Sequence, residues 1–176
     1  MRSVPGNVIL VGFMGAGKSA CGRLLARRLG RCFVETDDMI VAREARSIAE
    51  IFRAEGEERF RALEAEALAA LKLKSGDVIA TGGGLPCREG RMETLRALGT
   101  VVWLAGDLAD LCERAGRSGD RPMLARRTVE ELRALYRARE PFYRRAHIVV
   151  DTGGLGPEQV VARVLIALRG THAARV

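Results

Sequence analysis

The sequence predicts a doubly wound α/β fold, a parallel five-stranded sheet with helices on both faces, and three observations carry that reading. Short apolar runs alternate with longer amphipathic stretches along the chain, as in successive βαβ units. A glycine-rich turn joins the first apolar run to the first amphipathic one. Polar and glycine clusters follow later apolar runs, at the carboxyl ends of the strands, where open parallel sheets build ligand sites.

The first strand is Val8-Ile9-Leu10-Val11 and the first helix runs from Ser19 to Gly30. Between them, Gly12-Phe13-Met14-Gly15-Ala16-Gly17-Lys18-Ser19 fits G-x-x-x-x-G-K-[ST] without a mismatch. Gly12 and Gly17 allow torsions that turn successive N–H groups toward one anion. The following helix adds unpaired N–H groups and its positive dipole end. Gly15, Ala16, Gly17, Lys18, Ser19 and Ala20 are therefore the expected nucleotide-binding residues. Lys18 is placed to reach the β and γ phosphates, and the Ser19 hydroxyl to join the shell of a Mg²⁺ ion. A glycine-rich turn that binds nothing is the rival reading; a strand before and a helix after weigh against it. The fold is then of the P-loop NTPase type.

Cys32-Phe33-Val34 gives a second strand ending at Glu35-Thr36-Asp37-Asp38. A helix is expected over about 39–46, and Ser47-Ile48-Ala49-Glu50 reads as a capping box that opens another, carrying Ile51 and Phe52. Gly56 breaks it. From 57 to 74, Phe60, Leu63, Ala67, Leu68 and Leu71 share one helical face. Val78-Ile79-Ala80 is the third strand, ending in Thr81-Gly82-Gly83-Gly84, and a helix follows over 89–98. Thr100 to Leu104 is the fourth strand, with Trp103 in the core, and 107–115 is helical. Gly116 to Pro122 has charge, glycine and proline without apolar period, and reads as a mobile loop. Thr128 caps a helix to about Arg139, which Pro141 should bend or stop. His147 to Asp151 is the fifth strand, Pro157 opens the last helix, and fraying is expected over about 170–176.

The strand ends hold the candidate chemistry: the phosphate loop, Glu35 with Asp37, Gly82 to Gly84, and Asp151-Thr152 should converge on one crevice, with Asp77 on the far side. Glu35 and Asp37 are two residues apart, so on an extended chain both leave from one face. One can hold a metal-bound water while the other accepts a proton from an acceptor hydroxyl; a solvated acidic strand end is the alternative. The glycine triplet lets backbone approach a ligand, or forms a tight turn with no contact.

At 176 residues and 48% hydrophobic, the chain suits one domain over 1–176 with a real core. No apolar run approaches a membrane span and no signal-peptide pattern precedes the first strand, so a cytoplasmic protein is expected. Cys21, Cys32, Cys87 and Cys112 form no C-x-x-C pair and read as reduced thiols. The net charge is +7, yet only three of the 29 basic residues are lysines. Arginine's planar fork suits carboxylate and phosphate, and no basic stripe with interleaved aromatics points to nucleic acid.

Assembled in this order, the sequence resembles the shikimate kinase family over nearly its whole length. The motifs are Gly12 to Ser19, Glu35 and Asp37, Phe60-Arg61, Gly82 to Gly84, Arg121-Pro122, Arg139-Glu140-Pro141-Phe142-Tyr143, and Val150-Asp151-Thr152 with Pro157. The resemblance implies ATP- and Mg²⁺-dependent phosphorylation of the 3-hydroxyl of shikimate, on the way to chorismate and the aromatic amino acids. It also implies a helical substrate-binding region at about 36–74 and a lid at about 115–127. Arg61 and Arg139 would grip the carboxylate, with Glu64 orienting Arg61. Asp37 would bind hydroxyls and act as base, the Gly82, Gly83 and Gly84 backbone would line the pocket, and Arg121 would close on the transferring phosphoryl group. Ser19 and, through water, Glu35 would hold Mg²⁺, and Arg114 and Pro157 would flank adenine. The implied partners are ATP and shikimate, with no nucleic acid or membrane, in a monomer.

Two positions depart from the family pattern. Glu35 stands where aspartate is usual, and the late loop reads Gly153-Gly154-Leu155-Gly156 without arginine or asparagine. The alternatives are a kinase for another small hydroxylated acid such as gluconate, a nucleoside monophosphate kinase, or a P-loop binding module without turnover. For Arg61 taken alone, an i,i+4 surface pair with Glu57 competes with any substrate role.

Overall fold

The computed structural model describes residues 6–117 and 128–173. Five strands, β1 (Asn7–Val11), β2 (Phe33–Glu35), β3 (Val78–Ala80), β4 (Gly99–Ala105) and β5 (Ile148–Asp151), form one sheet in the order β2-β3-β1-β4-β5. Every pairing is parallel, with Leu10 opposite Ala80, Val11 opposite Trp103, and Glu35 opposite Ala80. β1 pairs on both edges and is buried on both faces, which is why it reads as an unbroken apolar run. The chain moves outward from β1 to β2 and then crosses to β4 on the other side. Right-handed crossovers in opposite directions place helices on both faces and open a crevice beyond β1 and β3.

The helices are α1 (Lys18–Leu29), α2 (Thr36–Glu44), α3 (Ile48–Ala70), α4 (Arg91–Leu98), α5 (Leu108–Arg117), α6 (Val129–Tyr143) and α7 (Pro157–Ala173), with short 3-10 turns at Leu71–Leu73 and Leu85–Cys87. Glycines in the left-handed region bound α1: Gly17 at φ 79° and Gly30 at φ 65°. The expected capping box of α3 is formed, Ser47 with Glu50, and α6 has another, Thr128 with Glu131. Gly56 at φ 78°, ψ −174° leaves helical geometry and divides α3 at a kink into two helical segments, the break that the sequence predicts.

The apolar side chains form two clusters. The larger surrounds the sheet and includes Phe13, Leu25, Trp103, Tyr143 and Val161. The smaller, Ile40, Ile51, Phe60, Leu63 and Ala67, lies between α2 and α3, and Met39 packs against both. Asn7 pins the far ends of the strands: its amide donates to the Lys74 and Leu98 carbonyls and accepts from the Asp77 N–H. Asp77 thus lies away from the crevice, as the sequence predicts.

Several boundaries differ from expectation. α2 begins at Thr36, immediately after β2, so Glu35 and Asp37 do not share an extended segment. α6 continues through Pro141 to Tyr143, because a proline in the last turn forfeits only one backbone bond while Tyr143 is fully buried. α5 reaches Arg117, so positions 115–117 of the expected lid are helical; the rest of that segment, Arg121 included, lies outside the described residues. α7 is helical through Ala173, within the 170–176 stretch where fraying is expected.

Candidate active site

The glycines of the phosphate loop sit where only glycine is comfortable: Gly12 at φ 147°, Gly15 at 75° and Gly17 at 79°. A Cβ on Gly15 would lie 1.9 Å from the Leu111 carbonyl oxygen, so the loop packs backbone to backbone on α5. Lys18 is buried, and its Nζ donates to the carbonyls of Gly12 (2.9 Å) and Phe13 (3.0 Å), which hold the ammonium across the mouth of its own loop. The Ser19 hydroxyl donates to Glu35 Oε1 at 2.5 Å, and Arg23 Nη2 donates to Glu35 Oε2 at 3.3 Å. A serine hydroxyl beside a carboxylate is a hard oxygen pair, and Mg²⁺ typically takes such a pair with waters and phosphate oxygens.

Thr36 closes the next part of the wall. Its buried hydroxyl accepts the Gly82 N–H at 2.9 Å, tying the start of α2 to the glycine triplet. Asp37 then faces the same loop, since a Cβ on Gly82 would come within 2.6 Å of Asp37 Oδ1. One cleft of about 320 Å³ gathers Gly15 to Cys21, Glu35, Asp37, Thr81 to Gly83, Arg114, Leu155 and Pro157. That volume lies in the range of small-molecule sites.

Two arginines flank the far side of the triplet. A Cβ on Gly84 would lie 2.7 Å from Arg61 Nη1 and 3.2 Å from Arg139 Nη2, so the bare backbone is what admits both guanidinium groups. Arg61 donates from Nε and Nη2 to Glu57 Oε1 and from Nη1 to Glu64 Oε2 at 2.9 Å. Burial pulls its pKa down, but the pairing with Glu64 and Glu57 more than offsets that and holds it above its ordinary value. Tyr143, fully buried, donates its hydroxyl to the Gly83 carbonyl at 2.6 Å. Burial keeps that phenol protonated, well above the usual tyrosine range.

A phosphate loop, an acid and an arginine pair meeting at one glycine triplet can bind a triphosphate and an anionic hydroxylated acceptor together. The profile of the shikimate kinase family matches residues 14–169. The chain belongs to the shikimate kinase family. It is 46% identical over 167 residues to the shikimate kinase of Symbiobacterium thermophilum, covering 93% of this chain and 96% of that one. The Moorella thermoacetica shikimate kinase is 43% identical over 166 residues, covering 94% and 96%. The Acinetobacter baumannii shikimate kinase, solved in complex with shikimate, superposes with a TM-score of 0.88 at 34% identity, covering 96% of each chain. A Sinorhizobium meliloti gluconokinase, 20% identical at a TM-score of 0.61, shares the fold alone.

Most residues that the sequence singles out for the shikimate kinase site come together. Gly15, Ala16, Gly17, Lys18, Ser19, Ala20, Glu35, Asp37, Gly82, Gly83, Arg114 and Pro157 line the cleft, while Arg61, Arg139 and Gly84 adjoin it through the triplet. Glu57 and Glu64 both pair with Arg61, so the surface pair exists alongside the buried one. Asp151 does not contribute a side chain to the cleft: it is exposed and accepts the Gly153 N–H, closing a local turn. Its neighbour Thr152, fully buried, supports the cleft residue Arg114 from behind, accepting from Arg114 Nη2 at 3.1 Å and donating to the Ala105 carbonyl. Sequence reasoning named Thr152 with Asp151 but missed Thr36 and Arg91 as site residues. Thr36 carries no periodic signal, and Arg91 is one arginine among many until the fold brings it to Glu64.

Proposed function

We propose that this chain transfers the terminal phosphoryl group of ATP to the 3-hydroxyl of shikimate, giving shikimate 3-phosphate. The observation that carries the reading is the glycine triplet, with Asp37 at one end and Arg61 with Arg139 at the other, opening beside the phosphate loop of a shikimate kinase family member. That order along the triplet suits an acceptor with hydroxyls at one end and a carboxylate at the other.

In this reading, backbone N–H groups from Gly15 to Ala20 hold the phosphates. Lys18 exchanges its two loop carbonyls for β and γ oxygens. Ser19 and, through water, Glu35 would hold Mg²⁺, which when bound would supply positive charge against the charge that develops on the phosphates. Glu35, one methylene longer than aspartate, reaches Ser19 directly. Arg61 and Arg139 fix the carboxylate through guanidinium forks, and the backbone of Gly82, Gly83 and Gly84 lines the pocket. Asp37 binds the hydroxyls and takes the proton from the 3-hydroxyl oxygen as that oxygen bonds to phosphorus and the bond to the ADP oxygen breaks. Arg114, steadied by Thr152, and Pro157 flank the adenine. The reading keeps Arg121 as the lid cation that stabilises the transferring group, and keeps 36–74 as the acceptor-binding region. It also takes the protein as a cytoplasmic monomer. All four cysteines are free, and no helix among the described residues is long and apolar enough to cross a membrane.

The test is ADP release from ATP and Mg²⁺ with shikimate, gluconate, nucleoside monophosphates or no acceptor. Turnover with shikimate alone is expected. Turnover with gluconate at a comparable kcat/KM, or none above background with shikimate, overturns the assignment.

A further inference from the structure

Glu64 is a carboxylate 1% exposed in the middle of α3. A charge so buried must be paired by hydrogen-bonded partners, and one partner is Arg61 on the same helix. The other is Arg91, from a different element: its Nη1 donates to the same Glu64 Oε2 at 3.1 Å, and its Nη2 donates to the Arg61 backbone carbonyl at 2.8 Å. Arg91 is the first residue of α4, just after the glycine triplet and its 3-10 turn. A cation there faces the positive end of the helix dipole, so α4 itself gains nothing from it. Its side chain is nonetheless largely buried against α3.

We infer that Arg91 is a positioning residue for acceptor capture, holding Arg61 through Glu64 and through the Arg61 carbonyl in the pose that receives a carboxylate. This rests on the reading of Arg61 as a carboxylate-binding residue. The planar fork bridges two acceptors at once, one on the side chain that orients Arg61 and one on Arg61's own backbone. With Arg91 gone, Glu64 Oε2 has Arg61 Nη1 as its remaining guanidinium partner. The buried charge then draws Arg61 inward, away from Gly84 and Arg139. Because Arg91 also follows the triplet in sequence, it links the loop that lines the pocket to the helix that carries the arginine.

The experiment compares purified wild-type protein with Arg91→Met, Arg91→Lys and Arg61→Ala, measuring kcat, both KM values and thermal midpoint. Arg91→Met should raise the KM for shikimate about tenfold, the scale of effect set by small displacements of a binding group, with the KM for ATP unchanged and kcat within about threefold. Arg91→Lys should fall between, since an ammonium can reach Glu64 but not bridge both acceptors. If Arg91→Met does not fold, Arg91→Lys alone carries the test, with a raised KM for shikimate and an unchanged KM for ATP. A KM for shikimate that is raised in Arg61→Ala but unmoved in the Arg91 variants overturns the inference alone. Equal rises in both KM values, tracking a fall in thermal midpoint, also overturn it in favour of a structural role. An unmoved KM in Arg61→Ala overturns the underlying reading of Arg61 and the inference with it.

Discussion

Every guanidinium nitrogen of Arg61 is engaged before any acceptor arrives, Nε and Nη2 by Glu57 and Nη1 by Glu64. An incoming carboxylate competes with both for the guanidinium, and the two are not equivalent. Glu64 is buried, whereas the Glu57 side chain is 61% exposed and can turn into water. Hydrogen bonding from Arg61 first, aided by the charges of Arg61, Arg88 and Arg139, holds the Glu57 pKa below its ordinary value against a smaller opposing effect of burial, so it competes as an anion. Glu57→Gln should therefore lower the KM for shikimate by up to about fivefold, the scale of one exposed ion pair, with kcat and the KM for ATP unchanged. Steady-state kinetics decides, and a raised KM would show that Glu57 supports Arg61 rather than occupying it. Lys18→Ala should act differently, cutting kcat by about 10²–10³, as expected for loss of a group that stabilises transition-state charge. The role proposed for Lys18 follows from its motif in the sequence. Arg61 does not: its spacing to Glu57 reads equally as a surface pair, and only the fold shows it against Gly84.

Among the elements, α5 braces the phosphate loop. With Gly15 at φ 75° and a Cβ there 1.9 Å from a backbone oxygen, no side-chain rearrangement relieves a substitution. Gly15→Ala should cost about 1–3 kcal/mol from backbone strain alone, lower the thermal midpoint and abolish ATP binding, all readable by thermal melts with and without nucleotide. On α1, burial raises the Cys21 thiol to about 11, opposed weakly by Arg114, while Cys32 is exposed. Alkylation at pH 7.5 followed by mass spectrometry should find Cys32 modified well before Cys21, and early modification of Cys21 would contradict its burial. The strand-to-helix passage at the phosphate loop is legible because glycine spacing and apolar runs are local signals. The start of α2 is not, because it depends on Thr36 placing its hydroxyl under Gly82, 46 positions away. The passage of α6 through Pro141 is equally hidden, since it rests on the buried Tyr143 and its bond to Gly83.

Across the whole molecule, the sheet and most of the buried face of the proposed acceptor region rest on different apolar clusters, with Met39 packed against both and Leu68 of α3 in the larger. Phe60 belongs to the smaller one, 6% exposed and packed at a tilt against Phe52 with centroids 4.7 Å apart. Phe60→Ala should destabilise by about 3–5 kcal/mol if the protein unfolds as one unit. Its functional cost should be uneven, with the KM for shikimate rising more than the KM for ATP. Hydrogen exchange should quicken across 48–70 and stay slow across 7–29; uniform quickening would mean that the clusters are one cooperative core. The parallel sheet was legible from alternation of strand and helix, as was the convergence of strand ends. The division of the interior was not, because Ile40, Ile51, Phe60 and Leu63 carry the same helical periodicity whichever surface they meet.

That division bears on how such a protein changes its acceptor. The groups proposed to handle triphosphate stand on the sheet, while two of those proposed to read the acceptor, Asp37 and Arg61, stand on helices with a small packing unit of their own. A lineage or a designer can therefore recut that side of the acceptor site like a tool head, trying new acceptors while the part that spends ATP stays in working order.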